Sequence, residues 1–401
     1  MNSKYFYPLN SDNLRKQDLA KAIKVIFSRQ ITMSKVTKNF EDVFKKKLNL
    51  NYALMVNSGS SANLLALQCL INPYRKKRLK PGDEVLIPAV CWSTSLWPII
   101  QSGLKPVFVD VDKNTFNISL KDLKSKISKR TKAIMLVHVL GNATNMNELL
   151  TILKKRKIIL IEDTCESLGS KFQNKYLGGF GDFSTFSFYY SHQITSGEGG
   201  MISCKSSQDY EILKALRSHG YSRVLKNRKK IEKKYNKIDS RFLFINSGFN
   251  FRPTEIQAAI GLSQFKSLDK FTKQRFINRK KIIQALTKDR LWKNQVNFLK
   301  ENKNVKASWF GLPILLNKKY KKMKSKIIKR LDYLGIDTRP IISGNFANQP
   351  AVKKYNILKK GISYPNADYI NDLGFFIGLP TKNISSKMIK KFKEAFFKSF
   401  K

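Results

Sequence analysis

Acidic residues are scarce in this chain. Only 28 Asp and Glu face 76 Lys and Arg over 401 residues, a formal charge of +48. Cysteine is scarcer still, and Cys69, Cys91, Cys165 and Cys204 stand far apart. That excludes a disulfide-stapled secreted scaffold and fits a reducing compartment, so a cytoplasmic protein is expected. No apolar run is long enough to cross a membrane unbroken. The uncharged stretch from Leu48 to Tyr74 is interrupted by Asn57, Ser58, Gly59, Ser60, Ser61 and Asn63, and that from Val85 to Leu104 by Pro88, Ser93, Thr94, Ser95, Pro98 and Gln101. Each reads as strand, loop and helix. The opening stretch MNSKYFYPLNSDNL has neither an apolar h-region nor a small-residue cleavage site, so no secretory signal is expected, and a lipidation motif is absent.

The sign of the charge alone would point to a nucleic acid or a membrane surface. Its distribution points elsewhere. The basic clusters at Arg75 to Lys80, Lys226 to Lys237 and Lys318 to Arg330 lack the aromatic interleaving of a base-stacking surface. A general lysine bias accounts for the charge as well, and neither nucleic acid nor membrane is expected as a partner. What the charge can do is draw in an anionic substrate, less so at high salt.

With 42% hydrophobic and 26% charged residues there is material for a sizeable core, and the length suggests two domains. The first two-thirds alternates apolar runs with amphipathic stretches, the α/β pattern. Strands are expected at Tyr52–Val56, Glu84–Ile87, Pro106–Val109, Ala133–His138, Ile158–Ile161, Phe183–Phe188 and Met201–Cys204. Helices are expected at Leu14–Phe27, Val36–Lys47, Ser60–Leu70, Leu120–Ser128, Asn145–Lys155 and Tyr210–Ser218. Arg223 to Ser240 reads as a long basic loop, and a helix beginning near Pro253, with proline in its first turn, runs into Leu268–Leu286. Strand-like Ser308–Leu315, helix-like Tyr320–Leu334, Ile336–Arg339, Phe375–Gly378 and a terminal helix Ser386–Phe400 then form a smaller α+β domain. The expected division is residues 1–265 and 266–401.

Three segments carry chemistry. Asn57-Ser58-Gly59-Ser60-Ser61-Ala62-Asn63 joins a strand to a helix, and its small residues let backbone N–H groups approach an anion at the positive helix end. A plain serine-capped helix would look the same. Ile161-Glu162-Asp163-Thr164-Cys165-Glu166-Ser167 sets carboxylates at the C-terminal end of an apolar strand, where open α/β sheets bind ligands. A buried acid there needs a cationic partner, and a protonated heterocycle nitrogen is one such partner. The third segment, Ser187 to Gly200, leaves a strand through His192 and a glycine-rich turn, Gly197-Glu198-Gly199-Gly200.

Together these resemble the sugar aminotransferase family of pyridoxal phosphate enzymes (DegT type), which carry Gly-Ser/Thr, then Glu-Asp after a central strand, then Ser-Phe…Lys…Glu/Asp-Gly-Gly. The resemblance implies an aspartate aminotransferase-like fold (fold type I) with a mixed central sheet, plus the smaller C-terminal α+β domain. At the family's lysine position stands His192, and imidazole cannot form the stable covalent link to the cofactor aldehyde that an amine forms. That exchange marks the family's deoxysugar 3-dehydratase branch. The four cysteines are too scattered to ligate an iron–sulfur cluster, so the cluster-free kind is implied.

Further segments extend the likeness: Pro88 to Thr94, Arg217-Ser218-His219-Gly220, Gly248 to Pro253, Ser308-Trp309-Phe310-Gly311, Arg339 to Phe346 and Asn366-Ala367-Asp368. Gln193 departs from it, since the branch carries a second histidine there. The implied cofactor is pyridoxal or pyridoxamine phosphate. Gly59, Ser60 and Ser187 would hold its phosphate, Trp92 would cover its ring, and Asp163 would meet the ring nitrogen. Glu166 would lie near the ring hydroxyl or amine, and Asn250 would reach across from a partner subunit, which implies a homodimer. His192 would be the general base, with His138 structural and His219, Arg223, Arg252 and Arg339 toward the substrate. The implied substrate is a nucleotide-linked 4-keto-6-deoxy sugar, GDP-4-keto-6-deoxy-D-mannose by these segments. Its C3 hydroxyl is lost, ammonia is released and L-glutamate restores the amine. The competing members are a 4-aminotransferase that keeps the amine in its product, ordinarily marked by lysine at 192, and a non-catalytic relative.

Overall fold

The computed structural model describes residues 4–10, 14–358 and 361–401, so residues 1–3 and 11–13 of the opening stretch lie outside it. Apolar runs from the first half become strands β1 (Tyr52–Val56), β2 (Glu84–Pro88), β3 (Lys105–Val109), β4 (Thr131–Val137) and β5 (Ile159–Asp163). Two short strands follow, β6 (Lys171–Phe172) and β7 (Lys175–Tyr176), then β8 (Phe183–Ser187) and β9 (Gly200–Cys204). Seven of them form one sheet in the order β1-β9-β8-β5-β4-β2-β3. Every pairing is parallel except those of β9, which runs against both β1 and β8. The sheet is therefore mixed, and β2, β8 and β9 are buried along their whole lengths because helices cover both faces.

The register positions the site. Val56 and Ser187 both lie opposite Gly200, while Asp163 lies opposite Thr185. Since β9 is antiparallel to both neighbours, β1 and β8 run the same way as β5. The C-terminal ends of β1, β8 and β5 thus open on one edge, with the three chemical segments side by side.

The later part adds β10 (Val296–Phe298), β11 (Val305–Lys306), β12 (Gly311–Leu316), β13 (Thr338–Arg339) and β14 (Gly374–Gly378). An antiparallel sheet takes the order β10-β12-β14-β13, and β11 joins β6 and β7 in a small third sheet. The N-terminal segment also reaches the four-stranded sheet: Tyr7 bridges Ile336, and its hydroxyl donates to the Gly378 carbonyl at 2.9 Å.

Several expectations need correction. The helix placed near Pro253 starts at Glu255, because Thr254 caps it: Gln257 N–H donates to Thr254 Oγ1 at 3.2 Å and the Gln257 side chain accepts from Thr254 N–H at 2.8 Å. It ends at Phe265, and a separate helix runs Leu268–Thr287. The basic loop contains the short helix Arg228–Lys234, none of whose residues is buried. The strand expected from Ser308 begins at Gly311. The helix expected from Tyr320 splits into a tight turn, Lys318–Met323, and the helix Lys324–Tyr333. Helix Pro365–Leu373 was not expected at all; proline opens it, where its missing N–H costs nothing. Among the described residues no helix is long and apolar enough to cross a membrane.

Candidate active site

The first wall is the turn from β1 into helix Gly59–Ile71. Ser58 caps the helix, taking the Ser61 N–H on its hydroxyl at 3.1 Å and the Ala62 N–H on its carbonyl at 3.1 Å. Gly59 and Ser60 are left to present their N–H groups outward at the positive helix end. Nothing larger than glycine fits at 59. A Cβ there would lie 2.6 Å from Ser187 Cβ and 3.0 Å from Cys165 Sγ. A Cβ at Gly200 would likewise lie 2.5 Å from the Ser58 carbonyl carbon. The close approach of these four strand ends makes a cradle of backbone N–H groups with the hydroxyls of Ser60 and Ser187, the chemistry a phosphate needs. Ser60 Oγ donates to Thr94 Oγ1 at 3.1 Å, and Ser187 Oγ accepts from the Tyr189 N–H at 3.3 Å.

The second wall is the end of β5, where two adjacent carboxylates have opposite fates. Glu162 is sealed: it pairs with His138 Nε2 at 3.0 Å and accepts from the N–H groups of Gly178, Phe180 and Gly181 at 2.9, 2.7 and 2.6 Å. Burial would raise its pKa, but His138 and these backbone donors outweigh it and hold the carboxyl below its ordinary value. His138 is thus absorbed by the core. Asp163 points the other way, into the site. Its Oδ2 accepts from Asn63 Nδ2 at 2.9 Å and Ser95 Oγ at 2.7 Å, and its Oδ1 from the Cys165 N–H at 3.2 Å. Asn63 is itself oriented by Thr185, whose hydroxyl donates to Asn63 Oδ1 at 2.6 Å. No cation of the chain pairs with Asp163 among the described residues. A protonated heterocycle nitrogen would fit there.

Glu166 receives one N–H, from Leu140 at 3.0 Å. Burial, reinforced by the charge of Asp163, pushes its carboxyl up to about 8. Trp92 stands just before helix Ser93–Gln101, two residues from Thr94, and leaves its ring 55% exposed, a large apolar face beside the cradle.

The third wall carries His192. Its ring is edge-on to Tyr189 at 5.9 Å and to Phe310 at 5.2 Å. Nδ1 is buried without a partner among the described residues, which leaves Nε2 as the nitrogen able to act. Arg275 Nη2 donates to the His192 carbonyl at 3.3 Å. Burial, with the Arg275 charge second, depresses the imidazole pKa to about 3, so the ring is neutral at physiological pH.

The remaining expected residues lie apart. Arg252 donates to Asn250 Oδ1 at 3.0 Å and meets His219 Nε2 at 3.1 Å, and this cluster joins the first wall where the Asn57 N–H donates to the Phe251 carbonyl at 3.0 Å. Arg223 is exposed and stacks on Tyr221 at 4.0 Å. Arg339 sits on edge strand β13, paired with Asp337. Sequence reasoning missed Asn63, Ser95, Thr185, Arg275 and Phe310. Of these, Asn63 and Ser95 stood out as polar breaks in otherwise apolar runs, and Phe310 lay in the matching segment Ser308 to Gly311.

Likeness to known proteins bears on this site. A model of the DegT/DnrJ/EryC1/StrS aminotransferase family matches residues 12–383. The GDP-4-keto-6-deoxy-D-mannose 3-dehydratase of Escherichia coli O55:H7 is 38% identical over 374 residues, covering 93% of this chain and 95% of its own. The solved E. coli GDP-4-keto-6-deoxy-D-mannose-3-dehydratase with bound hydrated PLP superimposes with a TM-score of 0.89 at 36% identity, covering 98% of this chain and 99% of that one. A structure of GDP-4-keto-6-deoxymannose-3-dehydratase with a trapped PLP-glutamate geminal diamine does so with a TM-score of 0.89 at 35% identity, covering 97% and 100%.

Proposed function

Since the chain belongs to the DegT/DnrJ/EryC1/StrS aminotransferase family, we propose that it is a pyridoxal phosphate-dependent 3-dehydratase of a nucleotide-linked 4-keto-6-deoxy sugar, GDP-4-keto-6-deoxy-D-mannose. The observation that carries this reading is the imidazole of His192 standing where an aminotransferase of this family has an amine. L-Glutamate is the amino donor, and ammonia leaves with the 3-deoxy product. The alternative of retaining the amine in the product is ordinarily marked by lysine at position 192, where this chain has histidine.

Pyridoxamine phosphate, when bound, would supply the amine that engages the sugar ketone and a ring that takes up the electron pair freed by loss of its C4′ proton and returns it as the C3 hydroxyl leaves. The N–H groups of Gly59 and Ser60 and the hydroxyls of Ser60 and Ser187 hold its phosphate. Asp163, oriented by Asn63, Ser95 and the Cys165 N–H, would meet the ring nitrogen. Trp92 covers a ring face and excludes water from it. His192 Nε2 would take the proton from the cofactor carbon that carries the amine and pass it to the departing C3 hydroxyl. Glu166, neutral up to about pH 8, sits at the polar edge. His219 and Arg252 face the sugar nucleotide, as do Arg223 and Arg339, the latter on leaving Asp337.

The protein is a homodimer in which Asn250 completes the partner's site. Asn250 is exposed, as that role needs. The larger unit, residues 1–265, carries the cofactor, and 266–401 closes over it. Scattered free cysteines and nucleotide-sugar chemistry fit the cytoplasm. The test is His192→Asn: it should keep cofactor binding and lose turnover by about 10²-fold or more. Wild-type turnover in that variant would overturn the assignment.

A further inference from the structure

Gln193 is 2% exposed, and its side-chain nitrogen donates to two main-chain carbonyls, that of Glu166 and, at 3.2 Å, that of Ser308. The two acceptors come from different parts of the molecule. Glu166 follows β5 of the large sheet, whereas Ser308 leads into β12 of the four-stranded sheet. A circuit closes between them on the far side. The Phe310 N–H donates to the Leu140 carbonyl at 3.2 Å, and the Leu140 N–H donates to Glu166 Oε2 at 3.0 Å. Ser308 is further pinned by Ser170 Oγ, which accepts its N–H at 2.8 Å. The ring of Phe310 is the one that stands edge-on to His192.

Beyond these contacts His192 is held by its N–H, which donates to the Tyr189 carbonyl at 3.0 Å, and by the Tyr189 ring edge. Its Nδ1 is buried without a partner among the described residues, so no carboxylate orients the ring from behind, and its carbonyl holds one long bond from Arg275. A base out of place by about 1 Å loses on the order of 10² in rate. A neutral amide suits the bridging position because it presents two N–H donors to two carbonyls without bringing a charge beside the base. We propose that Gln193 is a positioning residue for His192: by bridging the Glu166 and Ser308 carbonyls it fixes the mutual placement of the imidazole, Phe310 and Glu166. The effect on turnover rests on the dehydratase reading, while the effect on placement does not.

Two variants of the full-length, cofactor-loaded protein test this. Gln193→Met keeps the volume and removes both donors. Its kcat should fall at least about tenfold, with KM for the nucleotide sugar and affinity for the cofactor within about threefold. The 13C-histidine NMR signal of His192, one of three histidines and identified by its loss in His192→Asn, should move as the imidazole leaves the Phe310 ring edge. Gln193→Asn keeps a neutral amide on a stem one methylene shorter, which cannot span both carbonyls. Its kcat should fall and its His192 signal should move in the same direction as in Gln193→Met, and this decides the matter if Gln193→Met does not fold. A Gln193→Met protein with wild-type kcat and an unmoved His192 signal would overturn the proposal, as would a Gln193→Asn protein with both unchanged. The NMR signal reports placement whether or not any sugar is dehydrated, so failure of the functional reading is seen separately, as an inactive wild type.

Discussion

Replacing Glu166 with glutamine should stabilise the cofactor-free protein, and more so as pH rises. The carboxyl is pushed from its ordinary 4.5 up to about 8 by burial and by Asp163, against a single N–H from Leu140. An acid whose pKa is higher folded than unfolded binds its proton more tightly in the native state. Its contribution is complete below the unfolded value and is lost as pH rises through the folded one. At about 1.4 kcal/mol per unit, the full displacement corresponds to about 5 kcal/mol. Glu166 is only partly buried by surface area, so solvent screening reduces this to about 2 kcal/mol. Urea unfolding of wild type and Glu166→Gln, both stripped of cofactor, at intervals from about pH 5 to pH 9 reads the difference directly. The two stabilities should diverge across that window, with the variant ahead at the alkaline end. Curves that stay parallel would show that Glu166 is an ordinary solvated carboxylate, and the description of the site's interior would be wrong.

Glu162→Gln should behave oppositely, costing about 3 kcal/mol or more by breaking the buried pair with His138. The wild-type contribution exists above the ordinary carboxylate value and disappears as pH falls through the depressed one, so a loss under about 1 kcal/mol at pH 7 would contradict the sealed pair. Gly59→Ala sets a Cβ 2.6 Å from Ser187 Cβ, and cofactor affinity followed by fluorescence should drop at least about tenfold; unchanged affinity would move the phosphate elsewhere. His192→Lys should yield cofactor trappable by borohydride and should lose most dehydration, at least about 10²-fold. Retained dehydration there would remove His192 from the chemistry.

The strand cores were legible because buried strands of a helix-covered sheet are near-continuous apolar runs, and β1, β2 and β9 are such runs but for Glu84 and Ser203. Asp163 was legible for the same reason, as an acid following Ile159–Ile161. The strand order was not, since an antiparallel β9 between β1 and β8 leaves no local mark. Asn63 and Ser95 hold Asp163 across sequence gaps of 100 and 68 residues, and Thr185 orients Asn63 across 122, pairings that no single segment reveals. The break between Phe265 and Leu268 escaped notice because Lys266 and Ser267 contain neither glycine nor proline. Gln193 looked like a mere departure from the branch until Ser308, 115 residues on, was found against it.

The most direct test of the central claim is to supply the purified protein with pyridoxal phosphate, L-glutamate and GDP-4-keto-6-deoxy-D-mannose and to measure ammonia and product mass together. The account predicts ammonia in equal amount to a product that has lost its C3 hydroxyl and carries no nitrogen. A product that retains the amine and its C3 hydroxyl, with no ammonia, would contradict it and make the chain an aminotransferase despite His192.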